Sequence, residues 1–327
     1  MSGAGTVGAA VLAGIAFMVV GTSLFPVMNA IAKSLAGEFP LWQVTWARFL
    51  GHLLLMTAIL CPRHGLGVFA SARPGLQLVR STVFFGSNVT FIGALPHVSL
   101  ATAAAIMFTV PVIVTALSVL FLGERVGLWR WGAVACGFLG ALVIIRPGST
   151  AFEPGTLLVL GSALCYSTYQ LLTRRLAAHD SAQTQILWTA VVGAVSMCLV
   201  VPFVGRMPDD ALQIGQFVAL GTIGAVAHLL VIQALRRAPA SVIAPIGYVE
   251  LVGATVLGFV VFGDLPGPTT WLGAALIVAS GLVIAYREGL ARRAGRGTPV
   301  RRRYGPEAMI AVGVGLMLAS LLAHLLG

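Results

Sequence analysis

Ten stretches of about 20 apolar residues follow one another along this chain, at roughly 9–33, 40–61, 76–96, 99–122, 127–146, 155–173, 184–204, 213–235, 240–262 and 269–286. Each is long enough, at 1.5 Å per residue, to carry a helix across the ~30 Å hydrocarbon core of a bilayer. They lack the strict alternation of a barrel strand and are about twice its length, which excludes a transmembrane β-barrel. The composition excludes a water-soluble domain: 58% of the 327 residues are apolar and 9% charged, against about 25% charged in soluble proteins. The formal charge of +10 is spread singly or in pairs between the apolar runs. That pattern fits a topology signal facing a lipid bilayer, with no nucleic-acid partner. No basic residue precedes the first apolar stretch, so the expectation is a retained segment and not a cleavable leader.

Orientation follows from the loop bases. With the N-terminus placed in the cytoplasm, sixteen of the twenty Lys and Arg residues fall on that side, Arg80 among them, seven in the tail from Arg287 to Arg303. Lys33, Arg146 and Arg206 fall on the other side, and Arg48 lies inside a span. Basic loops stay cytoplasmic, so both ends of the ten-span unit are expected there, in a bacterial inner membrane.

The two halves repeat at an offset of about 140 residues. Ile92, Ala94 and Leu95 match Ile232, Ala234 and Leu235. Gly123-Glu124 matches Gly263-Asp264, Trp131 matches Trp271, and Gly132-Ala133 with Gly140 matches Gly273-Ala274 with Gly281. Leu35-Ala36 matches Leu176-Ala177, and Trp46 with Gly51 matches Trp188 with Gly193. Five spans per half is an odd number, so the second half must be inverted, an arrangement secondary carriers use. The predicted fold is all-α and integral to the membrane: a first repeat over 9–147, an inverted repeat over 154–287, a basic cytoplasmic linker over 288–305, and an extra apolar helix over 306–326. In that last run Ala311, Gly315, Ala319 and Ala323 recur every fourth residue, a stripe suited to close packing against another helix, a homodimer included. A helix lying on the membrane surface is the alternative for this run.

Two segments, ALSVLFLGERVGLWRWGAVACGFLGALVIIRPG and LVGATVLGFVVFGDLPGPTTWLGAALIVASGLVIAYREG, resemble the ends of the two EamA domains of the drug/metabolite transporter superfamily. Two others, ALCYSTYQLLTRRLA and HLLVIQALRRAPASVIAPIGYVELVGA, are similar to the bacterial branch that includes riboflavin and S-adenosylmethionine carriers. The resemblance spans about 9–287 and implies a ten-helix carrier with a central cavity. Chains of this family usually end soon after the tenth helix, whereas this one continues.

Arg48 and Glu250 are the charges deepest in the spans, about eight and nine residues in from opposite ends of helices two and nine, hence ~12 and ~14 Å. A lone charge at that depth costs at least ~2.5–3.5 kcal/mol, so each needs a partner or a wet cavity. A direct Arg48–Glu250 ion pair is the economical expectation. Their repeat equivalents are Ala190 and Val110, so the repeat does not demand these charges. An ion pair that only fixes packing is the bland reading.

Polar and aromatic residues at comparable depth complete a candidate substrate site: Asn29, Trp46, Asn88, Tyr166, Tyr169, Gln170, His228 and Tyr248, with Gln233 nearby. Asn88 and His228 are repeat equivalents, as are Asn29 and Gln170. Singly, each is more often an interhelical hydrogen-bonding residue than a ligand contact. Glu250 is also the candidate for coupling to a proton, with exchange against a counter-substrate as the other source of drive. The acids of Gly123-Glu124 and Gly263-Asp264 are expected to cap the helices that follow. Pro26, Pro96, Pro111 and Pro245 interrupt backbone hydrogen bonding within or beside spans.

Cys61, Cys136, Cys165 and Cys198 form no CxxC pair, and no His stands at metal-ligand spacing, so packing roles are expected, with no metal and no cofactor. GxxxxGK[ST] is absent, and so are HExxH, GxSxG and paired carboxylates. The leading function is therefore a secondary transporter of a small metabolite, not an enzyme. An intramembrane enzyme for lipid-linked substrates and a helper subunit of a membrane complex are the alternatives.

Overall fold

The computed structural model describes residues 3–122, 128–146, 153–237 and 244–293. The run expected to form an eleventh helix lies outside them, as does the linker beyond residue 293. The first half comprises α1 (Gly3–Glu38), α2 (Leu41–His64), a 3-10 turn (Leu66–Phe69), α3 (Pro74–Ala94), α4 (Leu100–Met107), α5 (Val110–Leu122) and α6 (Leu128–Ile145). The second comprises α7 (Gly155–Leu176), α8 (Ala182–Val204), α9 (Ala211–Arg237), a 3-10 turn (Ala244–Tyr248), α10 (Val249–Phe262) and α11 (Pro268–Arg293). No strand occurs among the described residues.

Five segments are long and apolar enough to cross a membrane: Leu12–Glu38, Leu41–His64, Leu100–Ser118, Ala182–Val204 and Ala211–Arg237. Trp131–Ile145, Ile246–Phe262 and Pro268–Ile284 are apolar but shorter. α3 and α7 fall in neither group, for a physical reason. They pack on each other, and α3 buries Gln77, Arg80, Ser81, Ser87, Asn88 and Thr90. Their polar side chains face protein, where hydrogen bonds satisfy them, and this lowers the mean apolarity of both helices. At the contact Ser87 Oγ lies 3.0 Å from Ser162 Oγ, and Ser162 Oγ donates to the Ser87 carbonyl at 2.8 Å.

The helix pairs obey the exchange of one half for the other. α1 packs on α9 as α7 packs on α3, α2 packs on α9 as α8 packs on α3, and α2·α8 and α6·α11 map onto themselves. Residues at or next to the same repeat position therefore meet. The Cys136 thiol donates to the Leu276 carbonyl at 3.7 Å, 140 residues away. Ser280 Oγ donates to the Ala133 carbonyl at 2.6 Å in the same contact. Glycine permits the closest approaches: a Cβ on Gly51 would stand 2.7 Å from the Gly221 Cα, and one on Gly140 would stand 2.8 Å from the Gly273 carbonyl oxygen.

The apolar run at 99–122 is one stretch in the sequence but two helices in space, broken at Phe108 and Thr109. Pro111 supplies no N–H for the Met107 carbonyl one turn earlier, and its ring crowds that carbonyl, which favours a break here. Thr109 closes the turn, its hydroxyl donating to the Ile106 carbonyl at 2.7 Å. The corresponding stretch of the second half is likewise interrupted, with the 3-10 turn Ala244–Tyr248, which contains Pro245, ahead of α10.

Two sequence expectations change. Arg80 is no loop cation: it is 1% exposed within α3. Its guanidinium donates to Gln77 Oε1 at 3.0 Å, Thr173 Oγ1 at 3.2 Å, Thr189 Oγ1 at 3.0 Å and the Gln185 carbonyl. It ties the halves together, so it does not belong in the topology count. Asp264 does not cap the helix after it. Gly263, at φ +71°, ends α10, the Asp264 N–H donates to the Gly258 carbonyl at 3.0 Å, and the Asp264 carboxylate binds Lys33 Nζ at 2.6 Å. The left-handed glycine turns the chain so that the acid points back toward α1, away from the next helix. Glu124 lies outside the described residues.

Candidate functional site

Between the halves, at the level where α4 gives way to α5, the helices line an open cavity of about 270 Å³. α1 contributes Phe25, Met28 and Asn29, α2 contributes Arg48, and α3 contributes Phe84, Ser87, Asn88 and Phe91. The opposite wall is Ser162, Tyr166 and Gln170 from α7, His228 from α9 and Glu250 from α10. Met107 and Phe108 face it from the helix break, with Val110 and Pro111 just beyond. Interrupted helices are a common way to place backbone polar groups beside a cavity within a membrane.

Seven of the ten residues proposed from sequence thus line one space: Asn29, Arg48, Asn88, Tyr166, Gln170, His228 and Glu250. The other three do not. Tyr248 sits behind Phe108, the rings 4.9 Å apart, and its hydroxyl donates to the Val278 carbonyl at 3.3 Å. Tyr169 stands one layer out, 5.6 Å from Tyr166 and 4.6 Å from Phe84, with the Arg80 guanidinium 5.1 Å from its ring centre. Trp46 faces elsewhere, donating from Nε1 to Cys198 Sγ at 3.2 Å and lining a groove of about 920 Å³ between α2, α8 and α9.

Arg48 and Glu250 share the cavity without the direct ion pair expected from sequence. Among the described residues the ion pair in contact is Lys33–Asp264, and Arg48 Nη1 is buried with no hydrogen-bond partner. The two charges face the same space from α2 and α10. A buried guanidinium nitrogen without a partner is a costly arrangement, and Arg48 is also a wall residue of the cavity, where an anionic or acceptor group could bind the guanidinium.

The Arg48 side continues into a small recess formed with Phe49, His52, Thr189 and His228. His52 follows Arg48 by one helical turn, so the two share a face of α2. Its ring lies 5.8 Å from that of His228, and its Nε2 has no hydrogen-bond partner. His228 Nδ1 lies 2.8 Å from the Gly224 carbonyl, which can only accept, so the proton resides on Nδ1. Sequence reasoning missed His52 and the apolar lining residues Phe25, Met28, Phe84, Phe91, Met107 and Phe108. Only the i, i+4 spacing from Arg48 could have pointed to His52, and apolar wall residues read the same as core.

A multi-pass helical membrane protein whose two halves share the wall of one cavity has the architecture expected of a solute transporter. Family matching sharpens this: residues 12–146 and 153–286 each match the EamA-like transporter family. This chain belongs to that family, a family of transporters, so the enzyme reading is set aside. It is 30% identical over 280 residues to a riboflavin transporter of Vibrio cholerae serotype O1, covering 82% of this chain and 91% of that one. It is 23% identical over 260 residues to an S-adenosylmethionine uptake transporter of Rickettsia felis, covering 80% and 88%. A solved crystal structure at 23% identity shares the fold, with a TM-score of 0.55 over 88% of this chain and 99% of that one.

Proposed function

We propose that this protein is a secondary active carrier that moves a small metabolite across the bacterial inner membrane by alternating access, with the substrate held in the central cavity near the bilayer midplane. In this reading ten helices cross the membrane as two inverted five-helix repeats, spanning 9–147 and 154–287. The N-terminus is cytoplasmic and the apolar run at 306–326 forms an additional helix. Loop charge, the odd number of spans per repeat and the exchange symmetry of helix packing support that topology.

The observation that carries the proposal is the cavity itself: both halves line it, and Arg48 presents a buried, unsatisfied guanidinium nitrogen beside it. Arg48 suits an anionic or carbonyl-bearing group. Tyr166 and Phe84 offer ring faces, while Asn29, Asn88 and Gln170 offer amide hydrogen bonds. Glu250 supplies the protonatable group for coupling, or the counter-charge to a cationic substrate. A flat heteroaromatic metabolite with polar substituents fits these features. Riboflavin and S-adenosylmethionine both meet that description, and the transporters of those compounds among the relatives make them the first candidates.

The test is uptake of each radiolabelled compound into proteoliposomes containing the purified protein, alongside a metabolite comparison of cells lacking and overproducing it. Saturable uptake absent from protein-free vesicles, and reduced at least tenfold by Arg48→Ala, is the expected result. A metabolite pool that responds to the protein while Arg48→Ala transports at the wild-type rate would move the site away from this cavity.

A further inference from the structure

A polar basin of about 500 Å³ lies at the far end of α4 from the central cavity, lined by Lys33, His97, Ser99, Arg146, Glu153 and Asp264 among others. Ser99 and Thr102 of this segment face the basin, whereas Ala104 and Met107 face the cavity, so one short helix of ~12 Å separates the two. Apolar side chains are packed beside this helix: Leu35, Leu95, Leu100, Ala103 and Ile106 are buried in one cluster. At the basin, Lys33 Nζ binds Asp264 Oδ2 at 2.6 Å, donates to the Val98 carbonyl at 3.0 Å and lies 4.9 Å from the Phe262 ring centre. One ammonium group thereby joins α1 and the α3–α4 loop of the first half to the α10–α11 loop of the second.

We propose that the Lys33–Asp264 pair is a latch that holds this face of the carrier shut, and that its parting is a required step in exposing the cavity to that side. This rests on the carrier reading above. Opening a path between the halves separates α1 from the α10–α11 loop, which cannot happen while the pair is intact. The apolar cluster excludes water but has no directional preference, whereas the ion pair selects a single register of the two halves. Both partners are partly solvated, with side chains 13% and 36% exposed. Such a pair is weak enough to open and close in a transport cycle. The sequence repeats the charges: Arg174 stands at the position matching Lys33, and Glu124 at that matching Asp264. A base near the end of the first helix and an acid after the fourth thus recur in both repeats of the sequence.

The test uses the full chain with Cys61, Cys136, Cys165 and Cys198 replaced by alanine and a single reporter, Ala104→Cys, on the cavity side of α4. A membrane-impermeant maleimide is applied to the outside of intact cells. Asp264→Asn and Lys33→Gln should each raise the labelling rate about fivefold or more. The charge-swapped pair Lys33→Asp with Asp264→Lys should return it to within about twofold of the parent. Monodisperse elution of each purified variant establishes that it is folded. Rates within twofold of the parent in both single variants would overturn the latch, and so would a charge swap that labels as fast as they do. Riboflavin and S-adenosylmethionine uptake by the parent is measured separately. Latch-dependent labelling without transport of any metabolite would overturn the carrier reading and leave the latch standing, while transport with latch-independent labelling would do the reverse.

Discussion

Phe108 and Tyr248, 140 residues apart in the chain, meet ring to ring with centroids 4.9 Å apart and planes at 42°. They hold the same position in the two repeats, each at the interruption of its own apolar stretch, so the two broken segments touch where the halves exchange. Phe108 faces the cavity and Tyr248 braces it from behind, anchored to the α11 carbonyl of Val278. The meeting of equivalent positions puts the cavity next to the axis that relates the halves, the place where the proposed inverted-repeat carrier would hold its solute.

The α2–α9 contact depends on glycine at both positions. A Cβ on Gly51 would stand 2.7 Å from the Gly221 Cα, and one on Gly221 would stand 2.6 Å from the Gly51 Cα. The obstacle in each case is backbone, which cannot step aside. Gly51→Ala or Gly221→Ala should therefore destabilise the protein in detergent by about 1–3 kcal/mol. Gly132→Ala on α6, where a Cβ meets nothing within 4 Å, should be neutral or mildly stabilising. Melting curves of the three purified variants check this, and an equal effect at all three sites would contradict the packing described.

Acidification should loosen the contact between the α2–α3 and α7–α8 loops. Burial of Asp180 disfavours its ionised form, but hydrogen bonds from Ser71 Oγ at 2.5 Å, the Ala72 N–H at 2.8 Å and Gln77 Nε2 at 2.8 Å outweigh it. The carboxyl is thereby held below the usual carboxylate range. A lowered folded-state pKa means the stabilisation is fully present above the unfolded value of about 4 and is lost as pH falls through the folded value. Asp180→Asn should lower stability at pH 7 by at most about 1 kcal/mol, since solvent screens this partly exposed group and Asn keeps one acceptor oxygen, and should flatten the loss of stability below about pH 4. A variant that melts like wild type at pH 7 would show that these hydrogen bonds contribute little.

The proposed topology is open to a direct check with reporter fusions. Fusions after Gly65, Arg175 and Arg236 should read cytoplasmic, and those after Gly148 and Met207 external, because loop bases collect on the cytoplasmic side. Removing Arg80 from the count leaves that asymmetry intact. A cytoplasmic signal at Gly148 would break the inverted-repeat reading.

The class of fold was legible from apolar run length and from the 140-residue repeat, because both are one-dimensional consequences of crossing lipid and of duplication. The break at Phe108 was less so: Pro111 announced an interruption, but mean apolarity runs straight across it. The buried polar face of α3 was hidden for a related reason. Arg80 has the same identity as a loop cation, and acceptors about a hundred residues away, the Thr173 and Thr189 hydroxyls and the Gln185 carbonyl, make it an interior residue. At the site, charge and depth sufficed to pick out Arg48 and Glu250, whose separation within one cavity is a tertiary fact. Trp46 and Tyr169 were chosen on depth alone, and helix rotation turns them to other surfaces. The Lys33–Asp264 pair spans 231 residues, and nothing local to either end specified it.

The central claim is that the cavity bearing Arg48 and Glu250 is where solute and driving force meet. It is tested most directly by comparing wild type, Glu250→Gln and Arg48→Ala in proteoliposomes, measuring pH-gradient-driven accumulation and substrate exchange in the same preparations. Glu250→Gln keeps the shape of the side chain but cannot ionise, so it should retain exchange while losing gradient-driven accumulation by at least tenfold. Arg48→Ala should lose both through weakened binding. Wild-type accumulation and pH dependence in Glu250→Gln, together with wild-type exchange in Arg48→Ala, would contradict the account.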